Sequence, residues 1–236
     1  MYYSMYTDTF AFDENIFFND VVNIKPAVIY ICNPNNPTGN IHSVQYIEYL
    51  LNEFSDTLFI IDEAYFEFSE ITTSGLVIKY DNILISRTMS KAFSLANFRV
   101  GYLIASAENI NLISKVRNPK NLSTFGQEAA IAVLSDIDYM KAYVAEVKKA
   151  KDYFVKYLEN YHDYMKVYSG YGNFILIQLH SIEEKQKICV FLSEHNIFIR
   201  ELSQNKILLN CFRITIGTVE QMKLVSSVVK QFMDYR

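Results

Sequence analysis

Apolar runs of strand length recur over the first half of the chain, at Ala27 to Cys32, Leu58 to Ile61, Asn82 to Ser86 and Val100 to Ala105. They are too short and too rich in β-branched residues for helices, so they predict strands. Between the first two lies His42 to Phe54, where Val44, Ile47, Leu50, Leu51 and Phe54 recur at helical spacing. Strand, helix and strand at this interval predict α/β architecture with a largely parallel sheet. From Gln127 to about Asn160 there is no Gly or Pro, and Ala129, Val133, Tyr139, Tyr143, Val147, Phe154 and Leu158 keep a helical period. That stretch predicts two helices, the second long.

Beyond Tyr161 the texture changes. Strands are expected at Tyr164 to Tyr168, Asn173 to Leu179, near Ile197 to Arg200, and at Phe212 to Ile216, with helices from Ile182 to His195 and from Val219 to about Met233. Such a segment has the size of a small α+β domain, so a boundary inside or just after the long helix is natural. This divides the chain into residues 1–135, a long connecting helix over 136–160, and a small domain over 161–236. No internal repeat or low-complexity linker interrupts it.

Composition narrows the classes. Of 236 residues, 22 are Lys or Arg and 26 are Asp or Glu, a formal charge of -4, and half of all residues are apolar. A disordered or collagen-like chain is excluded. A pI near 5.6 without a dense basic run gives no electrostatic reason to expect nucleic acid or an anionic membrane. Three cysteines without C-x-x-C spacing suit a reducing cytoplasm better than a disulfide scaffold. Four scattered histidines form no metal signature. No apolar run approaches membrane-spanning length and Met1 to Tyr6 lacks the features of a signal peptide, so a soluble cytoplasmic protein is expected.

The strongest local signal is Asn33-Pro34-Asn35-Asn36-Pro37-Thr38-Gly39, directly after the first expected strand. Prolines, turn asparagines and a glycine make a rigid turn, which could be a plain strand-to-helix connection or a binding loop. Position favours the second, because ligands of open α/β sheets bind beyond the carboxyl ends of strands, where the Asn36 amide would stand. Asp62 ends the strand Leu58 to Ile61 and is followed by Glu63-Ala64-Tyr65. A carboxylate leaving so apolar a strand needs a partner, although a helix N-cap with a packed tyrosine would produce the same pattern. The third signal runs from Ser86 to Tyr102, where a strand ends in a hydroxyl-rich turn holding Thr88, Ser90 and Lys91, with Arg99 eight residues beyond the lysine. Hydroxyls and an arginine fork suit a phosphate monoester, and a lysine among apolar residues can become nucleophilic by desolvation. Each cation could equally be a solvated surface group. Together these groups offer an amine for an imine, a carboxylate for a pyridinium nitrogen, an amide and a phenol for a phenolic oxygen, and a phosphate grip. That set defines a pyridoxal phosphate site.

On Asn33 to Gly39, Asp62-Glu63-Ala64-Tyr65, Ser90-Lys91-Ala92-Phe93 with Arg99-Val100-Gly101-Tyr102, and Phe212 to Gly217, the sequence resembles the class I/II aminotransferases of fold type I. Within them it resembles the histidinol-phosphate aminotransferase-like branch. The resemblance implies an α/β fold with a mostly parallel central sheet, helices on both its faces, and a small C-terminal α+β domain. Residues 1–135 would then be the C-terminal part of the large cofactor-binding domain. Lys91 would hold the pyridoxal phosphate imine and shuttle the proton, Asp62 would pair the ring nitrogen, and Asn36 and Tyr65 would contact the ring oxygen. Thr88, Ser90 and Arg99 would grip the phosphate, and Tyr3 would stack on the ring. Arg213 would fork onto the substrate α-carboxylate and Arg200 would meet a distal anionic group. A homodimer with a shared active site is also implied, as are an amino donor, with glutamate the expected one, and a small, possibly phosphorylated oxo acceptor.

Two departures accompany the resemblance. Family members are longer, and a domain-sized piece of roughly 100 residues, with the N-terminal arm and the backbone turn that holds much of the phosphate, is expected to be missing. In addition, Lys120 stands where histidinol-phosphate enzymes usually carry Tyr, which weakens that substrate and makes other phosphorylated or sugar-derived amines credible products. Two rivals share the motifs. One is a phospho-amino-acid decarboxylase of the same branch, and the other is a non-catalytic truncated remnant that serves as a binding or dimerisation partner.

Overall fold

The computed structural model describes residues 9–11, 13–202 and 206–235. They fall into two compact units, one from Met1–Asn35 and Asn40–Lys141, the other from Asn36–Gly39 and Ala142–Arg236. Among the described residues no helix is long and apolar enough to cross a membrane.

The first unit opens with α1 (Glu14–Ile24), capped by the Asp13 side chain, which accepts from the backbone N–H of Asn15 and Ile16. The helix ends at Lys25, whose φ of 48° breaks the helical path. Then follow β1 (Val28–Cys32), α2 (Val44–Glu53) with Ser43 as N-cap, and β2 (Leu58–Asp62). A four-residue helix α3 (Phe66–Ser69) leads to β3 (Ile83–Thr88), β4 (Gly101–Ile104), α4 (Ala107–Val116) and α5 (Thr124–Ser135). The strands lie in the order β1-β2-β3-β4. The first three are parallel, with Tyr30 opposite Ile60, Cys32 opposite Asp62, and Asp62 opposite Ser86.

Alternation along the strands puts Ile29, Ile31, Phe59, Ile61, Ile83 and Ile85 on one face. They form a single core with Phe17 and Val21 of α1, Ile47, Leu50 and Leu51 of α2, and Leu76. On the opposite face Val28 and Tyr30 are exposed. Removing these side chains from water at about 25 cal/mol per Å² of apolar surface is the main stabilising contribution to the unit.

Two features add to the largely parallel sheet that the sequence predicts. Strand β4 runs antiparallel to β3. Its connection is filled by the Lys91 turn and one 3-10 turn at Ala96–Phe98, so no crossover helix carries the chain back to the starting end of the sheet. Helices α1 and α4 were not anticipated, because each mixes buried or half-buried apolar residues with exposed ones such as Ile16, Ile24, Leu112 and Val116.

The second unit holds most of α6 (Ile137–Leu158), then β5 (Met165–Tyr168), β6 (Phe174–Leu179), α7 (Ile182–Glu194), β7 (Arg200–Glu201), β8 (Cys211–Thr215) and α8 (Val219–Asp234). Its sheet has the order β5-β6-β8-β7 with every neighbouring pair antiparallel. Central β6 is buried along nearly its whole length, as a strand covered on both faces should be. Phe154 and Leu158 of α6, Ile188 and Leu192 of α7, and Val225 and Val229 of α8 are buried in this unit with Phe174 and Phe212. Helix α8 starts in a reciprocal capping box between Thr218 and Gln221. The strand expected near Ile197 to Arg200 is shorter and later, since only Arg200 and Glu201 meet β8.

Cys189 and Cys211 are buried, and burial is the first cause that pushes each thiol up to about 12. Both thiols are therefore neutral and shielded at pH 8, whereas Cys32 is half-buried. Iodoacetamide on the folded chain at pH 8 should modify Cys32 and spare the other two until denaturant is added, as peptide mass mapping will show. Rapid labelling of Cys189 or Cys211 in the folded chain would contradict this packing.

Candidate active site

The first unit gathers several side chains at the carboxyl ends of β1, β2 and β3. Just past β1, Asn33 closes the base of the proline-rich loop. Its Oδ1 accepts from the His42 backbone N–H at 2.8 Å and its Nδ2 donates to the His42 carbonyl at 3.2 Å. The Asn35 N–H donates to the Asn40 carbonyl at 2.8 Å. This stretch is a structured turn rather than a passive link.

Asp62 is the last residue of β2 and is half-buried. Its Oδ1 accepts from the Ala64 N–H at 3.0 Å, and its Oδ2 accepts from the Tyr30 hydroxyl. Asp62 does not cap α3, whose preceding residue is Tyr65. Partial burial, followed by the neighbouring Asp62 carboxylate, pushes the Tyr30 phenol above the ordinary tyrosine range, so it stays protonated and donates.

The next residue, Glu63, is only 1% exposed. One carboxylate oxygen accepts from Arg87 Nε and Nη2 at 3.0 and 2.8 Å. Further bonds come from the Thr72 hydroxyl at 2.8 Å, the Thr73 N–H at 2.7 Å and the Thr73 hydroxyl at 2.9 Å. The Arg87 guanidinium also lies 3.6 Å from the Phe66 ring centroid.

Beyond β3, the Thr88 hydroxyl donates to Ser90 Oγ at 2.8 Å and accepts from the Ser90 N–H at 3.1 Å. Lys91 follows, half-buried, with its Nζ 5.4 Å from the centroid of the buried Tyr65 ring. Ala92 and Phe93 beside it are buried. Arg99 is exposed with φ of 57°, and its Nη1 donates to the Ala96 carbonyl at 3.1 Å. The Met89 N–H donates to the Val100 carbonyl, which brings Arg99 back alongside the hydroxyl turn. Strand β4 lies so close here that a Cβ on Gly101 would stand 2.8 Å from the Arg87 carbonyl oxygen. Lys91 and Tyr65 are thus brought together, as are Thr88 and Ser90.

The second unit holds the remaining expected residues. Arg213 in β8 faces Leu176 on one side and Arg200 on the other in the strand register. Its Nη1 donates to Asn36 Oδ1 at 2.6 Å and its guanidinium lies 5.2 Å from the Phe174 ring centroid. Its Nε is buried and has no partner. Arg200 is exposed. Gly39, at φ of 75°, packs on Gly170 so closely that a Cβ would stand 2.6 Å from the Gly170 Cα, which fixes the loop that carries Asn36. The expected stacking residue, Tyr3, lies outside the described residues.

Strand-end carboxylate, amine and hydroxyl turn coincide with a sequence match to known proteins. The family model described as aminotransferase class I and II covers residues 4–228. The chain belongs to that family. It is 42% identical over 229 residues to a dihydroxyacetone phosphate transaminase of Campylobacter jejuni, covering 94% of this chain and 59% of that protein. It is 39% identical to a histidinol-phosphate aminotransferase of Ruminiclostridium cellulolyticum, covering 85% of this chain and 55% of the relative. The crystal structure of the histidinol-phosphate aminotransferase from Clostridium acetobutylicum superposes with a TM-score of 0.87 at 25% identity, over 97% of this chain and 70% of that one. The chain therefore spans 55 to 59% of the length of these two curated relatives.

Pyridoxal phosphate is the cofactor of this aminotransferase family, and the residues present fit it. Asp62 keeps a free lone pair on each oxygen after one accepted bond, enough to take a ring N–H. The Thr88 hydroxyl lies within donating reach of both Ser90 Oγ and the Val100 carbonyl, and the Ser90 hydroxyl has a proton of its own for a further acceptor. The buried, unpartnered Arg213 Nε offers one half of a fork that a planar carboxylate could fill.

Three residues went unassigned from sequence. Tyr30 reaches Asp62 diagonally across two strands, a contact visible only once the register is known. Glu63 and Arg87 stand 24 residues apart, and each directly adjoins an expected site residue, a signal that could have marked them. Arg87→Met would leave Glu63 buried and largely uncompensated, and breaking such a pair costs about 3–5 kcal/mol. Urea unfolding of the first unit should shift accordingly, and Glu63→Gln in the same background should restore part of the loss. A change under 1 kcal/mol would show the pair to be dispensable.

Proposed function

We propose that this chain carries the main catalytic residues of a pyridoxal-phosphate aminotransferase moving an amino group from glutamate to a small phosphorylated oxo compound. The observation that carries this reading is the Lys91 amine over the Tyr65 ring, in the unit where Asp62 ends the strand next to the one that leads into the lysine turn. When bound, pyridoxal phosphate supplies an aldehyde that condenses with amines and a ring that takes up the electron pair released at a substrate α-carbon.

Lys91 Nζ would hold the cofactor and, once the amine of the donor has displaced it there, would be the free amine that takes the proton from the donor α-carbon. Asp62 would pair the ring nitrogen and so hold the proton there, and a preorganised group of this kind stabilises charge as it develops. Tyr65 and Asn36 orient the ring oxygen, and Thr88, Ser90 and Arg99 bind the phosphate. Arg213 binds the α-carboxylate through Nε and its remaining N–H groups.

Two further features support a phosphorylated acceptor. A relative 42% identical is named a dihydroxyacetone phosphate transaminase. Arg200 and Arg213 are directly opposed across β7 and β8, so two cations share one sheet face. Like charges so placed repel unless an anion lies with them, which suits a substrate carrying a phosphate or a second carboxylate. Dihydroxyacetone phosphate is the acceptor we would test first.

Borohydride treatment of chain incubated with pyridoxal phosphate should fix the cofactor on Lys91, located by peptide mass spectrometry. Single-turnover conversion of glutamate to its oxo acid should disappear in Lys91→Ala. An adduct on another lysine with Lys91 unmodified would defeat the proposal. The second copy expected of this family should appear as a homodimer, and light scattering should give about twice the 27.4 kDa chain mass. A strict monomer at all concentrations would remove the shared site from the proposal.

A further inference from the structure

Resting on the function just proposed, we infer that Tyr30 is a positioning residue of the cofactor site, holding the Asp62 carboxylate in one orientation through its phenol. Tyr30 and Cys32 lie opposite Ile60 and Asp62 in the parallel register, so all four side chains stand on the same face of the sheet. From there the Tyr30 hydroxyl reaches diagonally to Asp62 Oδ2, while the Ala64 N–H holds Oδ1 at 3.0 Å.

A strand-end aspartate held on one oxygen alone can swing about its terminal torsion, which is broad. Held on both oxygens it cannot, and each oxygen retains a lone pair for a further donor. A second titratable side chain on this face, Cys32, donates to the Pro34 carbonyl at 3.3 Å and interacts electrostatically with Tyr30. The Tyr30 ring is 60% exposed, so it contributes little to the core. Its hydrogen bond is what distinguishes it from a surface aromatic, and this separates positioning from packing.

The test uses the wild-type chain, Tyr30→Phe, Asp62→Ala and the double variant. In the cofactor-free chain, 13Cζ-tyrosine NMR identifies the Tyr30 signal as the one lost in Tyr30→Phe. Its titration should lie above that of an ordinary phenol and fall toward about 10 in Asp62→Ala. In absorbance titrations with pyridoxal phosphate, Tyr30→Phe should weaken affinity about fivefold, the effect of one lost hydrogen bond. Its urea midpoint should fall by no more than one exposed hydrogen bond accounts for, and in the Asp62→Ala background the same substitution should have no further effect on affinity.

Tyr30 titrating identically with and without Asp62, or equal losses of affinity in both backgrounds, would overturn this inference and leave the proposed function standing. A wild-type chain that takes up no cofactor on Lys91 would overturn the proposed function and the role of Tyr30 with it, even where NMR finds the Tyr30 to Asp62 bond.

Discussion

A carboxylate taken almost wholly out of water has to be paired, and Glu63 is the residue that imposes this on the first unit. It is 1% exposed, and it accepts from two Arg87 nitrogens, two threonine hydroxyls and one backbone N–H. Those donors come from the end of β3 and from residues 72 and 73, so one side chain ties three segments together. Asp62 immediately precedes Glu63 and Thr88 immediately follows Arg87. The pair therefore fixes the separation between the strand end that presents a carboxylate and the one that presents hydroxyls. Its worth is organisational, since a buried ion pair rarely adds much net stability over an apolar replacement.

Two neighbouring acids thus meet opposite fates through the alternation of an extended chain. Glu63 is saturated and inaccessible, and nothing remains of its acceptor capacity for a ligand on the oxygen that Arg87 and Thr72 share. Asp62 is half-buried with one donor on each oxygen, so it is restrained yet still able to accept. The hydroxyl turn repeats the division of labour. Thr88 is held by Ser90 Oγ, the Val100 carbonyl and the Ser90 N–H, and so becomes a strut beside the Ser90 hydroxyl. Groups already held in place would need little reorganisation should a charged ligand arrive.

Much of this was legible in the sequence because it is local. Strands of the first sheet ending at Cys32, Asp62 and Thr88 are marked by apolar runs that stop at polar residues, and the turn after Cys32 is written in prolines, asparagines and a glycine. What escaped depends on partners distant in the chain. The direction of β4 is set by what fills its connection, not by the apolar character of Val100 to Ala105. Helix α1 buries only Phe17 and Val21 while Ile16, Val22 and Ile24 stay exposed, which blurs its period. Tyr30 looks like one more strand aromatic until the register brings it diagonally to Asp62. Asp62 itself was ambiguous between a helix cap and a carboxylate with a partner, and only the position of α3 separated the two.

In the second unit the decisive charge, unlike Glu63, is one that the fold holds without fully satisfying. Strand β7 is two residues long, and its Glu201 reaches Lys185 of α7 at 2.7 Å, an amine whose side chain is 3% exposed. That bond helps keep so short a strand against β8, and with it keeps Arg200 opposite Arg213. Arg213 is steadied by Asn36 and by the face of Phe174, yet its Nε stays buried and empty-handed. A buried donor without an acceptor is a standing cost, as is a second guanidinium across the ladder, and both are relieved by one planar anion. On the function proposed above a negatively charged ligand would meet that need, since among the described residues Arg213 Nε has no acceptor.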